Sequence, residues 1–490
     1  MPAHSDIHSF EEVEELIARH ASPGIRPGLD RIERLLSLLG SPEGAYPAVH
    51  VVGTNGKGST CAMLDAVFRA AGYRTALYTS PHLESPGERL LIDGRPLSPE
   101  RWGSAVEKVV AALEGDAALR SDPPSYFELV TAAAFVMAAE EKVEVAVVEA
   151  GLGGRLDATN LLSNVVCSVV CSISMDHTEY LGDTLEKIAG EKFAVVRAGV
   201  PACFSGNDPA LVPLFDEFCG RAGALPLVPG RDAVVGAAGM TETGCVFDFK
   251  AQGGRARSAP AESSPAPLES RIEAQGGGAR SVPAESSLAP LEPLEPLAAL
   301  SLSGVRTSLI GRWQVSNAAL ALLAISRLRV RFDRLTEPAV RAGLFSARWP
   351  GRLEIVSRGR PLIVLDGGHN LDGVTKLAES VTELWGNKNV GFVYGVMKDK
   401  DYPACLGALN GLPVKPSLYA TCVPGMERSL ASDVLAECAR RMRWAGEVRA
   451  WENPLDAVGR ASEENDVVVV CGSLYLIGWI RPKLLERMFQ

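Results

Sequence analysis

The run HVVGTNGKGST, His50 to Thr60, sets a β-branched strand against a glycine-rich turn and then a helix. Glycines let backbone approach an anion closely, successive N–H groups face it, and a helix N-terminus adds favourable dipole potential. Lys57 supplies a positive charge for phosphate, and Ser59 or Thr60 a hydroxyl for phosphate or its metal. The spacing is shorter than the usual phosphate loop, and Gly58 separates the lysine from the hydroxyl. The plain alternative is a structural glycine turn.

Four other places carry polar side chains at strand ends. Ser80, Glu149 and His177 follow three apolar runs; a hard cation such as Mg²⁺ prefers oxygen, which suits Ser80 and Glu149 better than the imidazole. Taken singly, His177 reads as a hydrogen-bonding loop residue. The loop EAGLGGRLDATN, Glu149 to Asn160, places Arg155 and Asp157 where a substrate should sit. LDGGHN, Leu365 to Asn370, offers Asp366 to ribose hydroxyls and His369 to phosphate, with helix capping by Asp366 or Asn370 as the structural reading. Arg352 is suited to bridging phosphate between domains. Asn317, able to read an adenine edge, and Lys192, at the expected start of a helix, are ordinary residues when taken alone.

Such convergence requires a parallel sheet, in which the loops after the carboxyl ends of strands share one edge. Short apolar runs alternating with helix-like stretches give that rhythm. Strands are predicted at Val49–Val52, Thr75–Tyr78, Val145–Val148 and Val165–Ile173, and helices at Ser59–Ala71 and Phe127–Glu140. A further helix is predicted at Gln314–Leu328, and a hinge at ARWPGR, Ala347 to Arg352, where Pro350 and Gly351 interrupt helix. Beyond it, strands at Leu362–Leu365, Gly391–Tyr394, Ser417–Thr421 and Val467–Val470 predict a second, smaller α/β domain. Between a strand ending near Phe249 and a restart at Leu297, two copies of a 23-residue repeat rich in Gly, Ser, Pro, Ala and Glu read as a disordered insertion, residues 251–296.

A length of 490 residues is ample for two to four domains at about 100–200 residues each. With 47% hydrophobic and 22% charged residues, neither global disorder nor a fibrous repeat fits. Lys+Arg 49 against Asp+Glu 59, net −10, argues against nucleic acid as the principal partner. The acidic, helix-patterned segment Met1 to Arg19 lacks signal-peptide features. No apolar run approaches the roughly 18 residues of a membrane span. The expectation is a soluble, cytoplasmic protein. Ten cysteines without a Cys-x-x-Cys pair suggest neither disulfides nor zinc.

Read together, GTNGKGS, TSPHL from Thr79, YFE from Tyr126, GLGGRLDATN, MDHTEYLGDT from Met175, GEK from Gly190, NAALA from Asn317, PGR from Pro350 and DGGHN resemble the folylpolyglutamate synthase and dihydrofolate synthase family. That family lies within the Mur-ligase-like ATP-dependent amide ligases. The resemblance spans nearly the whole chain outside the insertion and implies an α/β fold. A P-loop-containing, Mur-ligase-like domain with a mainly parallel sheet would cover residues 1–346, and a smaller Rossmann-like domain residues 347–490. It implies that Thr54, Asn55, Gly56, Lys57, Gly58 and Ser59 hold ATP with Asn317, Arg352, Asp366 and His369. Ser80, Glu149 and His177 match the Mg²⁺ ligands and Lys192 the carbamylated lysine, so Lys57, His177 and Lys192 carry the catalytic roles.

The implied pterin pocket comprises Ile25, Arg26, Pro27 and Gly28, then Tyr126, Phe127 and Glu128, then Arg155, Leu156, Asp157 and Ala158. GIRPGLDRI matches only in its Gly-Leu-acid-Arg pattern, and Gly368 stands where many relatives carry alanine. The implied reaction is activation of a substrate carboxylate by ATP to an acyl phosphate, which L-glutamate's amine converts to an amide. Acceptors would be 7,8-dihydropteroate, reduced folates or both, with both preferred, and the chain would act as a monomer. Competing readings are another Mur-like ligase of cell-wall precursors and a nucleotide-dependent switch that forms no amide.

Overall fold

The computed structural model describes residues 7–252 and 300–488. Its first sheet has eight strands: β1 (Ala48–Val52), β2 (Thr75–Tyr78), β3 (Leu90–Ile92), β4 (Arg95–Pro96), β5 (Val145–Glu149), β6 (Val165–Val170), β7 (Pro201–Phe204) and β8 (Leu225–Leu227). The order is β4-β3-β2-β5-β1-β6-β7-β8. The run from β2 to β8 across the sheet is parallel, and only the short β3 and β4 are joined to it by antiparallel pairing. β1, β5 and β6 are buried along their whole length, the pattern of central parallel strands covered on both faces.

Alternation along β1 assigns its two faces. Val49 and Val51 pack with helix Lys57–Ala70 and helix Arg312–Leu328. Ala48 joins the opposite core with helices Pro99–Gly115 and Tyr126–Glu140. The latter helix is buried from Glu128 to Ala138, so it is apolar nearly all round.

β9 (Ala233–Thr241), β10 (Gly244–Ala251) and β11 (Ser301–Thr307) form a separate antiparallel sheet whose inner side joins the core of the first. A third sheet contains β12 (Glu354–Ser357), β13 (Leu362–Asp366), β14 (Val390–Tyr394), β15 (Ser417–Thr421), β16 (Val448–Trp451) and β17 (Val467–Cys471), in the order β12-β13-β17-β14-β15-β16. All its strands are parallel except β12.

The expected strands and helices are present, with small shifts. β6 stops at Val170, three residues early, because after the last rung, Cys171 N–H to Val52 O, the chain turns to meet the glycine loop, where Ser172 O accepts from Thr54 N–H. The first helix is Phe10–His20, capped by a Ser9/Glu12 capping box; residues 1–6 of the acidic segment lie outside the described residues. Ala251 belongs to β10 instead of the expected insertion, since its N–H pairs with Leu300 O at 2.9 Å; residues 253–296 of that insertion lie outside the described residues. All ten cysteines are free thiols.

Candidate functional site

β1 runs straight into Gly53, the loop reverses at Gly56, and helix Lys57–Ala70 begins. Gly56, with φ +89°, is in the left-handed region, and a Cβ there would stand 2.5 Å from Asn317 Oδ1. A Cβ on Gly58 would stand 2.4 Å from the Trp349 ring. These two glycines therefore let Asn317 and Trp349 close on the loop. The loop is pinned from the segment that follows β6: Thr54 N–H donates to Ser172 O (2.7 Å) and Thr54 Oγ1 to Ser174 O (3.1 Å). No side chain caps the helix, so its first N–H groups and dipole face the cavity. Lys57 Nζ donates to Thr54 O at 3.2 Å and lies 3.9 Å from Glu149 Oε1.

Of the two candidate hydroxyls, Ser59 lines the cavity and Thr60 does not. Thr60 is fully buried and accepts from Cys171 Sγ, so it faces the core. Ser59 Oγ accepts from Gln314 Nε2 (3.2 Å), while Gln314 Oε1 accepts from Asn317 Nδ2 (3.0 Å). Gln314, fully buried behind the cavity wall, thus links Ser59 to Asn317, and nothing in its local sequence marked it.

Glu149, last residue of β5, is 4% exposed. Burial pushes its carboxyl up to about 7, against the opposing pull of Lys57, the Ser80 N–H and Arg352. Its one backbone donor, Ser80 N–H, is long at 3.4 Å. An under-compensated buried carboxylate beside a serine fits a hard divalent cation. Among the described residues no three carboxylate, imidazole or thiol groups lie close enough to hold a metal unaided, so phosphate oxygens or water would have to complete the shell. His177 lines the same cavity, in a left-handed backbone conformation; burial lowers its pKa, which leaves the neutral imidazole a ligand needs, and its ionic neighbour is Asp176 at 3.9 Å.

Lys192 is the last basic residue of helix Leu185–Phe193, not the start of one. It is 3% exposed, with Nζ donating to Gly53 O at 2.9 Å. Burial, reinforced by Lys57, pushes its amine down to about 7. A surface lysine it is not.

The carboxyl edges of the first and third sheets meet across one cavity of about 1450 Å³, which every expected site residue except Thr60 lines. Asp366 accepts from Leu353 N–H (2.9 Å) and Gly368 N–H (2.8 Å), and burial raises its pKa against the pull of Arg352. Asn370, not Asp366, caps the following helix, Leu371–Trp385. Asn370 also donates to Asn55 Oδ1 and Asp176 Oδ2, both at 3.2 Å, while Asn55 Nδ2 donates to Asp372 at 2.7 Å. Lys400 Nζ reaches Asp176 at 3.2 Å, and His369 Nε2 lies 4.0 Å from it. Burial alone would raise Asp176, but Lys400, His177 and His369 hold it at about 2. Asp176, Asp372 and Lys400 were missed in the sequence. Asp176 sat inside a motif already quoted, whereas nothing local marked Lys400.

The remaining wall is more apolar. Gly151 lies against the Phe127 ring, where a Cβ would be 2.6 Å from it, and Ile25, Leu156 and Ala158 face the same cavity. Its charged members are largely engaged in shaping the wall. Glu128 Oε2 accepts from Ser125 N–H (2.7 Å) in a capping box, and its carboxylate lies 3.4 Å from Arg31 Nε. Arg31 in turn donates to Arg26 O at 2.7 Å, and Arg26 pairs with Asp122 at 2.6 Å. Arg155 pairs with Glu191 at 2.8 Å.

The profile of the Mur ligase, glutamate ligase domain matches residues 351–474. The chain is 32% identical over 485 residues to the dihydrofolate synthase/folylpolyglutamate synthase of Bacillus subtilis, covering 97% of this chain and 99% of that protein. It is 34% identical over 472 residues to the protein of the same description from Mycobacterium tuberculosis, covering 94% and 88%. Among solved structures, the M. tuberculosis folylpolyglutamate synthase complexed with ADP superposes with a TM-score of 0.80 at 29% identity, covering 97% and 98% of the two chains. The E. coli FolC complex with DHPP and ADP gives 0.78 at 26%, covering 100% of both.

Proposed function

Because this chain belongs to the dihydrofolate synthase/folylpolyglutamate synthase family, we propose that it is an ATP-dependent ligase joining L-glutamate to 7,8-dihydropteroate and to reduced folates. The observation that carries this reading is the shared cavity: an uncapped helix N-terminus with Lys57 and Glu149, and a largely apolar wall at Phe127, Leu156 and Ile25, open onto the same space. The first suits polyphosphate, the second a flat ring system carrying a carboxylate.

The substrate carboxylate attacks the γ-phosphate of ATP, releasing ADP and giving an acyl phosphate. The amine of glutamate then attacks the acyl carbon, phosphate leaves, and an amide remains. Lys57 and the loop N–H groups neutralise charge that develops on the transferring phosphoryl oxygens, and Arg352 approaches the same space from the other sheet. The contacts of Asn55, Asn370, Asp176 and Lys400 hold the two carboxyl edges together, so that water is excluded while the acyl phosphate exists.

Ser80, Glu149 and His177 would hold Mg²⁺, which when bound shields the phosphate charge and steadies the leaving nucleotide. Lys192, with its amine near neutrality and shielded from water, is suited to carbamylation, because only the free amine adds CO₂ and the product is an anion. Asn317, Asp366 and His369 complete the nucleotide-facing wall.

The test is glutamate-dependent ADP release measured with 7,8-dihydropteroate and with tetrahydrofolate separately, with the glutamyl amide detected by mass spectrometry. Turnover with both is expected. Absence of amide with every pterin would overturn the substrate assignment. For Lys192, a carbamate carbon signal from ¹³C-bicarbonate that vanishes in Lys192→Met is expected, and its absence from wild type would remove that role.

A further inference from the structure

His50 lies two residues before the end of β1, fully buried, on the face opposite helix Lys57–Ala70. Its Nε2 is 2.8 Å from Thr159 Oγ1. Thr159 Oγ1 in turn donates to Asp157 Oδ1 at 2.5 Å, and Thr159 N–H reaches the same oxygen at 3.0 Å. Asp157 Oδ2 accepts from Leu152 N–H at 2.8 Å. Those donors make Asp157 an acceptor throughout, so Thr159 has spent its only proton and must accept one from His50. The imidazole is therefore the Nε2–H tautomer, and its Nδ1 is left buried with no hydrogen-bond partner.

A valine or leucine would fill this place without an orphaned nitrogen, and the neighbouring positions in β1 are valines. What the imidazole adds is one directed N–H. Its consequence reaches the cavity through a short chain, from His50 to Thr159 to Asp157 to Leu152, that fixes both arms of the loop whose Gly151 packs on Phe127 and whose Leu156 and Ala158 line the wall.

We propose that His50 and Thr159 are positioning residues for the acceptor-binding loop Gly151–Ala158, setting affinity for the pterin acid while touching neither substrate nor nucleotide. This rests on the pterin-ligase reading above. Only the imidazole's place within the motif that opens the glycine loop suggests a nucleotide role; its hydrogen bond points the other way.

The experiment is steady-state kinetics of the full chain with 7,8-dihydropteroate, varying each substrate, for His50→Leu, Thr159→Val, the double variant and Thr159→Ser. His50→Leu and Thr159→Val should each raise the KM for the pterin acid about tenfold while the KM for ATP changes by less than about twofold. The double variant should be no worse than either single one, and Thr159→Ser, which keeps the hydroxyl, should restore most of the affinity. Thr159→Val is isosteric and carries the test alone if His50→Leu does not fold. Equal shifts in both KM values, multiplicative effects in the double variant, or a Thr159→Ser as impaired as Thr159→Val would overturn the proposal. Wild-type protein inactive with every pterin would sink the underlying reading instead, so the two failures are distinguishable.

Discussion

The loops after β1 and β5 leave the same sheet edge side by side, yet they are finished in opposite ways. The Gly53–Gly58 loop is pinned from outside by Ser172 and Ser174 and ends on a helix whose first N–H groups have no side-chain cap. The Gly151–Ala158 loop is satisfied from within: Asp157 collects the N–H of Leu152 and the N–H and hydroxyl of Thr159. The first leaves donors open, as the proposed nucleotide role requires; the second closes its donors and so presents a fixed shape, as the proposed acceptor role requires. A nucleotide site and an acceptor site need those two different solutions.

Breaking the first loop should have the largest effect. Lys57→Ala removes the one cation beside both Thr54 O and Glu149, and kcat/KM should fall about 10³-fold with either pterin, measured by ADP release. A fold-intact variant with wild-type turnover would erase the contrast between the loops. Gly58→Val comes next. Its side chain must displace the Trp349 ring, so the KM for ATP should rise more than about tenfold while the pterin KM stays put. Parallel movement of both would mean that the loops are not separable.

A pH measurement sharpens the other side. Burial, helped by Arg197, pushes His50 down to about 3 from its ordinary 6.5. The unfolded chain therefore binds the proton more readily, so this contribution is complete above pH 6.5 and is lost progressively as pH falls toward 3. Between pH 7 and pH 5 wild type should lose about 2 kcal/mol from this group, seen as a fall in urea midpoint that His50→Leu lacks. Equal pH sensitivity in the two proteins would place the imidazole outside the core.

The smallest effect is expected far from both loops. Ala251 N–H bonds to Leu300 O at 2.9 Å, so the ends of β10 and β11 are already neighbours. Joining Gln252 to Leu300 by a short turn in place of residues 253–299 should leave kcat and both KM values within about twofold of wild type. A large loss in folded protein would give the repeated segment a part in the comparison.

The legibility of these features followed how local their causes are. HVVGTNGKGS was readable because strand, turn and helix N-terminus are contiguous, and the glycine positions report backbone requirements directly. The valine-rich runs of β5, β6 and β17 were readable because parallel strands buried on both faces need continuous apolar sequence. Glu128, which the family resemblance implies as a substrate contact, lines the cavity and is also the capping-box acid that its position three residues after Ser125 marks. Lys192 looked like any helical lysine, since nothing in GEKFAV states that Gly53 O lies 2.9 Å from its amine.

The sequence alone determined the parallel α/β alternation, the glycine turn at Gly53–Gly58 and the set of strand-end residues able to converge, because each depends on contacts between near neighbours. Tertiary structure decided that Asp176 and Lys400 meet across the seam, that burial pushes Glu149 up and Lys192 down, and that His50 faces the Gly151–Ala158 loop and not the Gly53–Gly58 loop. Those outcomes depend on burial and on which distant segment lies opposite. Both are properties of the packed chain, and no stretch of residues carries them by itself.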